Sequence, residues 1–356
     1  MPLVAHTDLP TYQRLREEGQ IVLPPERAAQ QDIRELHVGL LNMMPDSALE
    51  ATERQFFRLV GACNQIVQFH IHPFTIDGLP RGAEGQAHID RYYESFAQVQ
   101  RDGLDALIIS GANVSHPRLP EENFWQPLTE VFEWASHNVT SILCSCLATH
   151  ALIQHNHGIV RTHLGHKRWG VYSHRVMDRR HPLVADINTR FDVPHSRFNE
   201  VFRSDMERVG LKPLVESEDA GVHMAVSADL LRVVYFQGHP EYDTISLLKE
   251  YKREVVRFFQ GERPDYPPFP EHYFNHAARQ VADDYMEALL DAKHKSAALP
   301  PFPEAALQAD LDNTWRDTAK AVFNNWLGLA YQLTNQDRRI PFKAGVDPEN
   351  PLGLRE

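Results

Sequence analysis

Cysteine is scarce in this 356-residue chain: Cys63, Cys144 and Cys146 are the only three. Three thiols so spaced build neither a disulfide framework nor a patterned zinc module, and a reducing cytoplasm is the expected setting. No apolar run approaches the ~18 residues of a membrane span. The opening Met1-Pro2-Leu3-Val4-Ala5-His6-Thr7-Asp8 lacks the basic-then-apolar pattern of a secretory leader. Basic residues are outnumbered, 36 Lys+Arg against 48 Asp+Glu, for a formal net charge of −12. General nucleic-acid binding is therefore not expected, although a local basic pocket for a phosphorylated small molecule is compatible with that total.

Histidine, by contrast, is abundant at 20 residues, several of them between His150 and His166. His155-Asn156-His157 ends a helical segment without patterned cysteine or carboxylate partners, so no metal site is expected. Apolar residues make up 42% and charged residues 24%, ordinary proportions for a globular chain long enough for one large α/β domain with extensions.

Residues 1–35 are mixed and polar and read as an arm laid on the core. From residue 36 to about 262, short apolar runs alternate with helical segments, the signature of a parallel sheet flanked by helices. Strands are expected at 36–43, 67–74, 105–111, 140–145 and 231–236, with shorter mixed ones at 170–177 and around Val215 and Val222. Helices are expected at 50–60, 89–99, 124–137, 146–157 and 245–259. Beyond Gly261, Pro267-Pro268-Phe269-Pro270-Glu271 recurs as Pro300-Pro301-Phe302-Pro303-Glu304, bracketing a helical stretch at 277–293. Proline-rich segments favour extended connections, so 263–310 reads as a helix between stiff linkers, alternatively as a ligand for a proline-reading domain. Residues 311–356 supply a closing amphipathic helix, 314–333, and an irregular tail.

Two strand ends carry the chemistry. Ser141-Ile142-Leu143-Cys144-Ser145-Cys146 delivers a cysteine to a strand-to-helix turn, where backbone N–H groups and the positive helix end favour thiolate. An inert buried cysteine is the structural alternative, and Cys144 should be the more embedded of the pair. Downstream, Gly238-His239-Pro240-Glu241-Tyr242-Asp243 follows an apolar strand. In extended chain, residues two apart point the same way, so Glu241 can orient the His239 imidazole toward Cys146. Ligands of open parallel sheets bind outside the carboxyl ends of the strands, and both segments open there. Together they suggest nucleophile, base and orienting acid.

These residues, with Leu41-Asn42-Met43-Met44-Pro45, Glu53-Arg54-Gln55-Phe56, Pro194-His195-Ser196-Arg197, Asn313-Thr314-Trp315-Arg316 and Phe323-Asn324-Asn325-Trp326-Leu327, resemble the homoserine O-acyltransferases of the transsuccinylase type. Those enzymes share a Rossmann-like fold with class I glutamine amidotransferases. The resemblance implies an acyl thioester on Cys146, His239 as proton acceptor, Glu241 completing the triad, and substrate binding by Lys167, Ser196 and Arg253. Arg253 could grip an amino-acid carboxylate with its bidentate fork. An oxyanion would rest on N–H groups of Leu147 and of the Gly111 turn. The implied reaction is ping-pong transfer from succinyl-coenzyme A, or acetyl-coenzyme A, to homoserine, or serine. No bound cofactor is implied, the chain would be a homodimer, and the product would suit methionine synthesis.

The family position that influences donor size is Ser115 here, where glycine goes with succinyl and glutamate with acetyl. Serine, small and uncharged, leaves room for a succinyl carboxylate. A glutaminase-type hydrolase is the rival enzyme, but it usually brackets its nucleophile with glycines, where this chain has Cys144 and Ala148. An inactive triad-fold scaffold is the rival outside catalysis.

Overall fold

A computed structural model describes residues 3–63 and 67–355. Met1 and Pro2 of the expected arm, and Glu356 of the tail, lie outside the described residues. Among the described residues, eleven strands form one sheet: β1 (Leu3–Val4), β2 (Val22–Leu23), β3 (Glu35–Leu41), β4 (Gln68–Phe74), β5 (Ala106–Ile109), β6 (Ser141–Ser145), β7 (Thr162–Val176), β8 (Arg190–Glu200), β9 (Lys212–Ser217), β10 (Gly221–Val226) and β11 (Val233–Phe236). Their spatial order is β2-β1-β4-β3-β5-β6-β11-β10-β9-β7-β8. Pairing is parallel from β2 through β11 and antiparallel from β11 to β8. The mostly parallel sheet flanked by helices, with a helical C-terminal region, is the architecture expected.

The central strands are apolar because both faces are covered. Ala106, Leu107, Ile108 and Ile109 are all fully buried. One face packs Leu36, Val38, Phe56 and Trp326, and the other Leu41, Leu107, Phe132 and Ile153. β3 continues to β4 on one side while β5 lies on the other. That reversal opens a crevice at the carboxyl ends of the strands.

The structure departs from expectation at four places. The arm is not merely laid on: β1 pairs with both β2 and β4, in strands of two residues, too short to carry a periodic signal. The single helix expected at 89–99 is two, Ala83–Tyr92 and Phe96–Asp102, parted where the Ser95 side chain accepts from the Gln98 N–H at 3.2 Å as an N-cap. β8 was hidden by Pro194, which argues against a central strand but is tolerated on an edge, and β8 is an edge. Finally, the proline repeats are packed, not free. Phe269 and Phe302 bring their rings to 5.5 and 6.1 Å from that of Tyr251, within a third core that joins Trp169, Leu248 and Leu289. The Glu271 N–H donates to the Trp169 carbonyl at 2.8 Å, stitching this region to β7. No helix among the described residues is long and apolar enough to cross a membrane.

Candidate active site

β6 and β11 run side by side with Phe236 opposite Ser145, so Cys146 leaves one strand where Gln237-Gly238-His239 leaves the other. The Cys146 N–H donates to the Phe236 carbonyl at 2.7 Å. The Thr149 hydroxyl lies 3.0 Å from the Cys144 carbonyl and 2.9 Å from that of Phe236, tying the two strand ends. Cys146 itself has φ 51° and ψ −104°, a backbone that residues with a side chain rarely adopt. Such strain costs of order 1–3 kcal/mol and gathers at functional positions. It presents the thiol at the start of the helix Leu147–His157. Cys144, two residues back, is fully buried, whereas Cys146 is partly exposed.

Electrostatics separate the thiols further. Burial pushes the Cys144 and Cys63 thiols up. Burial acts on Cys146 in the same direction, but the charge and hydrogen bonding of His239, with Arg197 behind it, outweigh it and bring the pKa below its ordinary value. His239 moves the opposite way. Burial opposes its charged form, yet Glu241 and then Cys146 hold the imidazolium and raise its pKa. The two shifts describe one thiolate–imidazolium pair.

Glu241 Oε1 accepts from His239 Nδ1 at 2.8 Å and from Ser145 Oγ at 3.3 Å. Because a carboxylate only accepts, Nδ1 carries the proton and Nε2 is left for Cys146. The imidazole also stacks on Tyr242, centroids 4.4 Å apart at 19°. Asp243 forms ion pairs with both Arg54 and Arg58. Trp315 Nε1 donates to the Tyr242 carbonyl at 2.9 Å, and Asn313 Nδ2 to Thr244 Oγ1 at 3.1 Å. These contacts explain why segments near 54 and 313, far apart in sequence, belong to the same pattern: both clamp the turn that follows His239.

Before the thiol lies a cavity of about 800 Å³ whose walls include Cys146, Leu147, Lys167, Ser196 and Arg253. Lys167 and Ser196, on β7 and β8, meet on one carboxylate: Glu250 Oε2 accepts from Lys167 Nζ at 2.8 Å and from Ser196 Oγ at 2.6 Å. Tyr242 donates to the other oxygen at 2.9 Å, so Glu250 links this wall to the platform under His239. Burial alone would raise the Glu250 carboxyl, but Lys167 and the hydroxyl donors lower it. Glu250 was missed from sequence. Its signal was there in helical spacing: Glu250, Arg253 and Arg257 fall at i, i+3 and i+7 of the helix Ser246–Phe259.

Arg253 is 60% exposed and, among the described residues, meets only the adjoining Glu254, at 3.4 Å. Gly111 borders Cys146, since a Cβ built on it would stand 3.8 Å from that of Cys146, and the Leu147 N–H opens the helix, where the first amides have no intrahelical partner. Ser115 stands elsewhere. Its N–H and hydroxyl donate to Glu122 at 2.7 and 3.0 Å, and the cavity wall is formed by Ala112, Asn113 and Val114 instead.

Among the described residues, six cations line the cavity, Arg161, Lys167, Arg197, Arg253, Arg257 and Arg263, against Glu254 and, behind Lys167, Glu250. In a chain of net charge −12 this concentrates positive potential where an anionic ligand would enter. Among the described residues, the cavity holds no metal-ligand cluster.

The family model described as homoserine O-succinyltransferase matches residues 2–336. Curated homoserine O-succinyltransferases of Methylobacter tundripaludum and Methylococcus capsulatus are each 72% identical over 354 residues, covering 99% of this chain and 100% of the relative. Among solved structures, a glutamine amido transferase from Methylobacillus flagellatus aligns with a TM-score of 0.45 at 13% identity, over 83% of this chain and 95% of that one.

Proposed function

Because the chain belongs to the homoserine O-succinyltransferase family, we propose that it transfers succinyl from succinyl-coenzyme A to the homoserine hydroxyl through a thioester on Cys146. The observation that carries this reading is the polarised Cys146–His239–Glu241 array at the foot of a cation-lined cavity. The Cys146 thiolate attacks the donor's thioester carbon; the bond to coenzyme A sulfur breaks as the bond to Cys146 Sγ forms. His239 gives its proton to the departing thiolate and is left neutral. It then takes the proton of the homoserine hydroxyl as that oxygen attacks the acyl-enzyme, and Cys146 leaves as thiolate, restoring the ion pair.

The N–H groups of Leu147 and of the Gly111 turn support the oxyanion in both steps, each donor being worth about 2.7–4 kcal/mol of transition-state stabilisation. Arg161, Arg257 and Arg263 suit the donor's phosphates. Arg253 suits the acceptor's carboxylate, while Lys167 and Ser196, held by Glu250, frame the acceptor's remaining polar groups.

The test is thiol release with succinyl- or acetyl-coenzyme A crossed with homoserine or serine, alongside Cys146→Ala and intact-mass measurement after donor alone. Succinyl-coenzyme A with homoserine should turn over fastest, and donor alone should add one succinyl mass to the wild-type chain and none to the variant. An equal rate with acetyl-coenzyme A would refute the donor assignment, and turnover without acyl-enzyme would refute the ping-pong route.

A further inference from the structure

Away from the cavity, four histidines and two glutamates gather where the N-terminal arm meets the sheet. His37 on β3 and His70 and His72 on β4 share one face of the sheet. His6, just beyond β1, lies over them with ring centroids 5.2 Å from His70 and 4.9 Å from His72. A chain of contacts crosses the group: Glu35 Oε2 is 3.3 Å from His37 Nε2, His37 Nδ1 is 2.8 Å from His72 Nε2, and His72 Nδ1 is 2.6 Å from Glu94 Oε1. Three contacts need three bridging hydrogens. Two neutral imidazoles carry only two N–H groups between them, and carboxylates carry none. One contact is therefore short of a cation, whether a proton or a metal ion.

His6 indicates where it belongs. Its Nδ1 lies 3.2 Å from the Val4 carbonyl, which can only accept, and 3.4 Å from the Tyr12 hydroxyl. Nδ1 therefore holds the proton, and Nε2 presents a lone pair. That Nε2 is buried and, among the described residues, has no hydrogen-bond partner. Holding a histidine's far nitrogen to a backbone carbonyl is how proteins orient a metal-ligating imidazole. A ligand atom of His6, one of His72 and a carboxylate oxygen of Glu94 all lie within 4.8 Å of one another.

We propose that His6 Nε2, a ring nitrogen of His72 and the Glu94 carboxylate bind a borderline divalent cation such as Zn²⁺, with solvent in the fourth position. Two imidazoles and a carboxylate are an established zinc set. Tetrahedral seating asks His72 Nδ1 and Glu94 Oε1 to open from 2.6 Å to about 3.3 Å, given zinc bonds of about 2.0–2.1 Å. His37, backed by Glu35, then accepts from His72 Nε2–H as an outer partner. The ion ties the segment after β1 to β4 and to the bridge residue Glu94, fastening an arm whose own strands are two residues long.

The test is titration of the full chain, stripped by chelator, with ZnCl₂ alone, read by calorimetry and by Tm. It is run on wild type and on Cys146→Ser, which removes the reactive thiolate as a rival ligand. One zinc per chain and a rise in Tm are expected in both. His6→Ala and Glu94→Gln should each abolish the Tm rise and weaken binding more than about 100-fold, and His37→Ala, an outer partner, by about 10–100-fold, with thiol release unchanged in all three. If His6→Ala fails to fold, Glu94→Gln, which keeps the shape of the side chain, decides alone. Zinc binding that is absent, or unaltered in Glu94→Gln, would overturn the proposal and leave an extra proton as the missing cation.

Discussion

The cavity has two walls built in opposite ways. Its cysteine wall comes from adjacent parallel strand ends, with Cys146 one residue past β6 and His239 three past β11. Its binding wall is assembled from the antiparallel pair β7 and β8 and the helix Ser246–Phe259, which meet on Glu250. On the first wall, geometry follows from the register of two neighbouring strands. On the second, a carboxylate unremarkable in sequence gathers a lysine, a serine and a tyrosine from three other segments. Loss on the first wall should therefore fall on the chemical step, and loss on the second on substrate affinity.

Cys146→Ser breaks this contrast most severely, with kcat falling about 10⁴–10⁶-fold, the range for removing a member of a catalytic unit. Cys144→Ser, two residues away, should keep nearly wild-type kcat per folded molecule, a comparison made by steady-state thiol release. Glu241→Gln should lower kcat by about 10⁴-fold, the cost of losing the group that sets the histidine tautomer, with little change in KM.

The same variant sharpens the electrostatic side. Thiolate forms once the pH exceeds the lowered Cys146 pKa, and the leaving thiol is protonated as long as His239, whose pKa is raised, keeps its proton. Glu241 is the chief factor raising His239. Its removal moves the basic limb to lower pH, while at Cys146 the loss of the carboxylate's own upward push offsets the weaker imidazolium. The pH profile of the donor half-reaction should narrow from its basic side, with iodoacetamide alkylation reporting the acidic limb separately.

On the binding wall, Glu250→Gln removes one charged acceptor. At about 1.5–3 kcal/mol for a charge-assisted hydrogen bond, homoserine KM should rise roughly 10–100-fold while the alkylation profile of Cys146 stays put. A collapse of kcat with unchanged KM would erase the distinction between the walls. Arg257→Ala should have the smallest effect, a several-fold rise in donor KM that fades as salt screens the field over about 8–10 Å.

Legibility in the sequence tracks the distance over which a feature is specified. Cys146, His239 and Glu241 announce themselves because strand, turn and helix start are written in contiguous residues, and i, i+2 spacing places Glu241 beside His239. Lys167, Ser196 and Arg253 came from family resemblance, since a lone lysine or serine carries no local mark. Glu250 and Tyr242 went unread although helical spacing pointed to the former. Ser115 could be counted out from Gly111, but where its side chain goes depends on Glu122, seven residues on, bending the loop toward itself.

By itself the sequence determined the alternating β/α order, the apolar central strands and the two strand ends that carry the reactive groups, because these depend on local periodicity and on residues close in the chain. Only the tertiary structure decided that β8 is an edge able to hold Pro194, that the proline repeats seat two phenylalanines on Tyr251, and that Glu250 joins both walls. Only there, too, do His6, His72 and Glu94 converge from three segments. Such features depend on which distant surfaces become neighbours, and that is set by the packing free energy of the whole core and written in no single stretch of residues.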